Sequence, residues 1–250
     1  MAGRRLLILG GTTEAAALAR TLAEAGEWEV ITSLAGRTRA PAALPGAVRV
    51  GGFGGADGLV AYLQAERIDR VVDATHPFAA TMSANAAAAC AEVGVPLLRI
   101  ERPAWVPGPG DHWIEVSDAA EAAGWLAGSL PAGSAVLLTV GRQDVAPFRR
   151  CPGLRFVLRS IEPPAPEDQP PDCLLLSERG RFTPEGERTL IARHGIRAVV
   201  AKNAGGDATA AKLAAAREAA IPVVMIRRPA PAAAPAVADV AGALEWLAKA

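Results

Sequence analysis

Short apolar, β-branched runs recur along the chain, and the segments between them carry apolar residues at helical spacing. In the first half the runs fall at 6–9, 30–33, 48–50, 71–73 and 97–100, with helices expected to start near Thr13, Ala56 and Phe78. This alternation favours parallel strands joined by crossover helices, because a parallel pair cannot be closed by a hairpin. A turn-rich break, Ser129-Leu130-Pro131-Ala132-Gly133-Ser134, precedes a second series. Its strands are expected at 136–140, 156–159, 174–177, 198–201 and 223–226, and its helices at 184–193 and 208–219. Two proline-rich stretches, 163–171 and 229–235, read as extended loops. The second would let a last helix, ending near Lys249, return to the first half. The expected fold is α/β: two Rossmann-like domains with parallel sheets, 1–130 and 131–250, and an interdomain cleft.

The 250 residues suffice for two domains of ordinary size. Lysine plus arginine number 26 and aspartate plus glutamate 26, so no whole-molecule field draws the protein to nucleic acid or an anionic membrane. Any basic function must be local. Cys90, Cys151 and Cys173 are far apart and form no C-x-x-C pair, which argues against a disulfide framework or zinc site. His76, His112 and His194 are equally scattered, and no bound metal is expected. The apolar run before Gly10 is too short for a signal-peptide core, and the alanine-rich stretch 84–91 is interrupted by polar residues. The expectation is a cytoplasmic protein with no membrane partner.

Candidate chemistry gathers where strands end. Gly10-Gly11-Thr12-Thr13-Glu14-Ala15 follows the first strand and opens a helix, the place where a doubly wound fold binds pyrophosphate. Ala15 stands where the G-x-G-x-x-G pattern has its third glycine. About 20 residues beyond the glycines an NAD site carries an acid for the ribose hydroxyl. Here Thr32-Ser33-Leu34-Ala35-Gly36-Arg37-Thr38 has none, and its hydroxyls and arginine suit a 2′-phosphate, so NADPH is the expected cofactor. Gly51-Gly52-Phe53-Gly54-Gly55 leaves backbone exposed after the third strand. Asp73-Ala74-Thr75-His76-Pro77-Phe78 follows the fourth, with Pro77 suited to a first helical turn. Asp73 or Thr75 either caps that helix or faces the ligand, while His76 is the candidate for proton transfer.

Arg99, Arg102, Arg142, Arg159, Arg179, Arg181, Lys202, Arg227 and Arg228 also lie at or just past strand ends. On a chain of zero net charge this implies a polyanionic ligand larger than one phosphate. Lys202-Asn203-Ala204-Gly205-Gly206-Asp207-Ala208-Thr209 repeats the strand-to-helix glycine logic and offers a second anion-receptive helix start.

The ordered set ILGGTTEA, SLAGRT, GGFGG, DATHPFA, RPAW, KNAGG and KLAAAREAAIPVVMIRRP, from Ile8 to Pro229, resembles the precorrin-6A reductase family of cobalamin biosynthesis. Two departures stand out: the family's R-G-P-F reads Arg179-Gly180-Arg181-Phe182, and its K-N-S-G-G reads Lys202-Asn203-Ala204-Gly205-Gly206. The resemblance implies NADPH-dependent reduction of one double bond of a contracted tetrapyrrole, metal-free or cobalt-containing, with hand-over of the product to other pathway enzymes. It assigns the substrate's carboxylates to Arg142, Arg179, Lys202, Asn203, Gly205, Gly206 and Thr209. Other classes fit less well. A methyltransferase needs an acid at the end of the second strand, a glycosyltransferase leaves the Gly10 turn unexplained, and an NADPH sensor leaves the cationic second half unexplained. Tyr62, the one tyrosine, falls in a helix, so a Tyr-x-x-x-Lys pair is absent and hydride transfer rests first on positioning.

Overall fold

Leu6, Leu7, Ile8 and Leu9 are all buried, because a central parallel strand is covered on both faces and reads as continuously apolar. The computed structural model describes residues 3–36, 43–178 and 182–249. Its first elements are β1 (Arg4–Leu9), α1 (Thr13–Ala25), β2 (Trp28–Leu34), β3 (Ala47–Val50), α2 (Gly55–Ala65), β4 (Arg70–Asp73), α3 (Ala80–Val93) and β5 (Leu97–Ile100). There follow β6 (Trp113–Val116), α4 (Ala119–Ser129), β7 (Ala135–Thr139), β8 (Arg155–Ser160), β9 (Cys173–Ser177) and α5 (Pro184–His194). The chain closes with β10 (Ile196–Lys202), α6 (Ala211–Glu218), β11 (Val223–Ile226), β12 (Ala236–Val237) and α7 (Val240–Ala248).

Two six-stranded sheets result, ordered β12-β5-β4-β1-β2-β3 and β6-β11-β10-β7-β8-β9, with every pairing parallel. Each has the doubly wound order, with β1 central in the first sheet, β7 central in the second, and the chain running outwards from each in both directions. One edge strand departs from chain order in each sheet. β6 follows β5 in the chain yet pairs with β11, and β12 follows β11 yet pairs with β5.

The chain forms two compact units, 1–103 with 229–250, and 104–228. The boundary read from sequence at 130/131 thus falls elsewhere, because β6 and α4, which the apolar pattern did not single out, belong with the second sheet. In the first unit successive residues of β1 point to opposite faces. Leu6 and Ile8 pack with Leu18 and Leu22 of α1 and Ala243 and Leu247 of α7. Leu7 and Leu9 pack with Leu59 and Leu63 of α2 and Ala86 and Ala89 of α3. In the second unit Leu137, Val199 and Met225 pack with Ile191 of α5 and Leu213 of α6. Among the described residues no helix is long and apolar enough to cross a membrane.

The helix ends follow local chemistry. Thr12 caps α1 by accepting from the Ala15 N–H at 3.2 Å, and Gly26 ends it in the left-handed region at φ 69°. α3 departs from expectation, starting at Ala80 rather than near Phe78, because a turn closed by the Ala79 N–H on the His76 carbonyl, 2.7 Å, precedes it. Pro77 lies in that turn. α3 has no side-chain cap, so the capping reading of Asp73 and Thr75 is corrected.

Leu247, 2 % exposed, joins α7 to the first unit's core. Leu247→Ala is expected to destabilise that unit by about 2–5 kcal/mol, read as a lower urea midpoint. A loss under about 0.5 kcal/mol, the scale of an ordinary surface change, would show that α7 is peripheral.

Candidate active site

The turn after β1 is built by two glycines with different tasks. A Cβ on Gly10 would approach Thr32 Cγ2 to 3.1 Å, so this position lets the turn lie against β2, and the Gly10 N–H donates to the Ser33 carbonyl at 2.9 Å. Gly11, at φ 109°, takes a conformation that other residues rarely adopt and has open space beside it. Ala15 takes the third glycine's place by packing its methyl into the core with Leu18. Thr12 Oγ1 also donates to the Ala74 carbonyl at 2.6 Å, which ties this turn to the end of β4.

Glu14 accepts two hydrogen bonds from Arg102 Nη1, 3.0 and 2.9 Å, and one from Thr13 Oγ1, 3.0 Å. Burial alone would raise its pKa. A backbone hydrogen bond and the Arg102 charge outweigh that and hold the carboxyl below its usual range.

At the neighbouring strand ends Ser33 of β2 lies opposite Arg49 of β3. Arg49 Nη1 donates to Ser33 Oγ at 2.8 Å and the Gly51 carbonyl at 2.9 Å, and Nη2 to the Gly52 carbonyl at 3.0 Å. Its guanidinium lies 3.8 Å over the Phe53 ring and 5.1 Å from that of Tyr62. Sequence reasoning missed Arg49; the signal available was a charged residue alternating with Val48 and Val50 just before the glycines. Gly36 follows β2 at φ 72°. Arg37 and Thr38 lie outside the described residues.

Past β4, Thr75 donates through its N–H and Oγ1 to Asp73 Oδ1, 3.0 and 2.7 Å, and Ser83 Oγ donates to Asp73 Oδ2 at 2.5 Å. Asp73 is 2 % exposed, with Arg99 Nε 3.8 Å away. His76 is exposed, and its Nδ1 accepts from the Phe78 N–H at 3.2 Å. Burial and the Asp73 charge push the nearby Cys90 thiol up to about 12, so it stays protonated and unreactive at neutral pH. Gly10 to Glu14, Ser33, Gly52, Phe53, Thr75 and His76 thus share the carboxyl edge of one sheet.

In the second unit Lys202 ends β10 and pairs with Asp144, two residues from Arg142, which donates to Glu162 at 3.1 Å. Asn203 is nearly buried, its side chain accepting from the Trp105 N–H at 2.8 Å and donating to the Trp105 carbonyl at 2.9 Å. Trp105 Nε1 donates to the Gly206 carbonyl at 2.9 Å, and Arg228 to the carbonyls of Asn203 and Ala204 at 2.8 and 3.0 Å. Gly205 and Gly206 have φ 68° and 76°. They open a short 3-10 turn, Asp207–Thr209, and α6 begins only at Ala211, so the expected helix start directly after these glycines is corrected.

Arg179 and Arg181 lie outside the described residues. Of the other strand-end cations, Arg99, Arg102, Arg142, Arg159 and Lys202 each face a resident carboxylate.

An all-parallel sheet with a glycine turn after its central strand defines the doubly wound α/β class. A family profile described as Precorrin-6x reductase CbiJ/CobK matches residues 5–248. A precorrin-6A reductase of Rhodococcus erythropolis is 49% identical over 97% of this chain and 97% of its own length. One of Rhodobacter capsulatus is 48% identical over 98% and 96%. A cobalt-precorrin-6A reductase of Priestia megaterium is 29% identical over 90% of each. A solved structure, "CobK precorrin-6A reductase", is similar with a TM-score of 0.90 at 48% identity, covering 98% of this chain and 96% of its own. The chain belongs to the precorrin-6x reductase family and is an oxidoreductase.

Lys212 of α6, missed from sequence, supports the second glycine loop. Its Nζ donates to the Thr209 carbonyl at 2.6 Å and lies 4.9 Å from the Trp105 ring. Burial pulls its ammonium down to about 8 from 10.5, with Glu187 opposing the fall and Arg159 adding to it. Between those values the unfolded chain holds a proton that the folded chain has released, so stability rises with pH across the window. Below about 8 both states are protonated and the full burial penalty stands. Lys212→Met is expected to flatten that rise, measured as urea midpoints at about pH 7.5 and pH 9.5. Parallel pH dependences in the two proteins would show that Lys212 titrates normally.

Proposed function

We propose that the chain reduces one double bond of precorrin-6A with NADPH to give precorrin-6B, the first unit holding the cofactor and the second the substrate's carboxylates. Family membership makes it a precorrin-6A reductase of cobalamin biosynthesis. One observation carries the cofactor assignment: the glycine turn and the helix α1 N-terminus share an edge with a β2 end that has hydroxyl and glycine but no acid. Identity of 49% to a precorrin-6A reductase, against 29% to a cobalt-precorrin relative, supports the metal-free substrate.

In this reading the main chain of Gly10 to Glu14 takes the pyrophosphate, with the open space beside Gly11 admitting it. The first-turn amides of α1 have no intrahelical acceptors. Ser33, Gly36, Arg37 and Thr38 take the 2′-phosphate, and Gly52, Phe53 and Thr75 line the rest of the site. NADPH supplies a hydride to one carbon of the double bond. The other carbon needs a proton, and in this reading it comes by way of His76. Because Nδ1 accepts from the Phe78 N–H, the neutral ring carries its proton on Nε2, and this N–H holds the water that delivers the proton, since its outright release would leave an imidazolate. Arg142, Arg179, Lys202, Asn203, Gly205, Gly206 and Thr209 orient the macrocycle by its carboxylates. Charge developed on a conjugated ring is already delocalised, so orientation is the larger share of the task.

Anaerobic incubation with precorrin-6A and NADPH is expected to change the tetrapyrrole absorption with stoichiometric loss of reduced nicotinamide, and NADH to work poorly. No change, or equal rates with the two cofactors, would sink the reading. His76→Ala is expected to lower kcat at least about a hundredfold. A rise confined to KM would make the imidazole a carboxylate ligand instead, and no change in either would leave the proton to solvent.

A further inference from the structure

We propose that Arg49 is a specificity-determining residue, the cation that reads the 2′-phosphate and sets preference for NADPH over NADH. The proposal rests on the NADPH reading above. Arg49 stands in register with Ser33, one residue before each strand ends, so the guanidinium lies where an NAD-binding sheet would carry the acid for the ribose hydroxyls.

Arg49 differs from seven other arginines among the described residues in the kind of partner it has. Arg5, Arg99, Arg102, Arg142, Arg159, Arg188 and Arg217 each meet a carboxylate. Arg49 meets only neutral acceptors, the Ser33 hydroxyl and the carbonyls of Gly51 and Gly52, and no carboxylate pairs with it among the described residues. A half-buried charge left without a counter-ion is costly unless an anion completes it.

The geometry also leaves the right donors. A guanidinium has five N–H groups. Both on Nη1 and one on Nη2 are used, leaving the Nε–H and one Nη2–H to donate to phosphate oxygens. Ser33 Oγ accepts from Arg49 and keeps its own proton to donate. The faces of Phe53 and Tyr62 hold the fork in place, so little side-chain freedom remains to be lost on binding.

Arg49 also fastens the Gly51-Gly52 segment, and a purely structural role predicts equal losses for both cofactors. The test is calorimetric titration of the full chain, wild type, Arg49→Gln and Arg49→Lys, with NADPH, NADH, 2′,5′-ADP and 5′-AMP. Wild type is expected to bind 2′,5′-ADP more tightly than 5′-AMP. Arg49→Gln is expected to weaken NADPH and 2′,5′-ADP about 10- to 100-fold, with NADH and 5′-AMP within about twofold. Arg49→Lys should recover part of the loss, since it restores charge without the fork. Equal weakening of all four ligands, or of none, overturns the proposal for Arg49. Wild type that does not distinguish 2′,5′-ADP from 5′-AMP overturns the NADPH reading itself.

Discussion

Parallel pairing is the constraint from which the site follows. When every strand runs the same way, all the carboxyl ends meet at one edge, and each connection must return as a crossover. In the first unit that edge receives Gly10 to Glu14 from β1, Ser33 to Gly36 from β2, Gly51 to Phe53 from β3 and Ala74 to His76 from β4. The central place of β1 puts its turn between the ends of β2 and β4, which it reaches through Gly10 on Ser33 and Thr12 on Ala74. Residues scattered over some 70 positions become neighbours because two hydrogen bonds and one sheet order bring them there.

Charges in the two units are managed by pairing. Arg159, at the end of β8, is held by Glu187, which is 1 % exposed, and by Glu178, with Phe182 stacked 4.1 Å away. Such a buried pair gains little net stability, since desolvation of both ions offsets most of their attraction, but losing either partner is expensive. It fixes geometry more than it adds energy. The same holds for Arg102 on Glu14, which leaves the first turn of α1 close to neutral where a lone carboxylate would repel a phosphate.

Long apolar runs made the strands of both sheets legible, and the glycine turn was legible because its residues are contiguous. The boundary was not. β6 is a half-buried four-residue strand containing Glu115, and β12 is two residues in a proline- and alanine-rich stretch, so neither carries a local pattern strong enough to read. Their sheet membership is decided by pairing with β11 and β5, partners far away in the chain. The surroundings of the strand-end cations were illegible for a related reason: sequence locates Arg99 or Lys202 but not the acid that folding brings beside it. Arg49 went unseen because its meaning depends on register with Ser33.

The two glycine loops look alike as sequence and differ as devices. In the first, the amides of the turn lead into a helix that starts at once, with Thr12 supplying the cap. In the second no long helix follows directly, and the loop is fixed through its carbonyls instead. Those of Asn203, Ala204, Gly206 and Thr209 accept from Arg228, Trp105 and Lys212. Among the described residues no acceptor meets the amides of Gly205, Gly206 or Asp207. A loop with its acceptors occupied and its donors left over favours an anion, even without a helix dipole behind it. The positive φ of Gly205 and Gly206 makes that division possible, since it turns successive peptides in ways a side chain would resist. Asn203 serves the loop by gripping Trp105, and its buried amide holds the loop from behind.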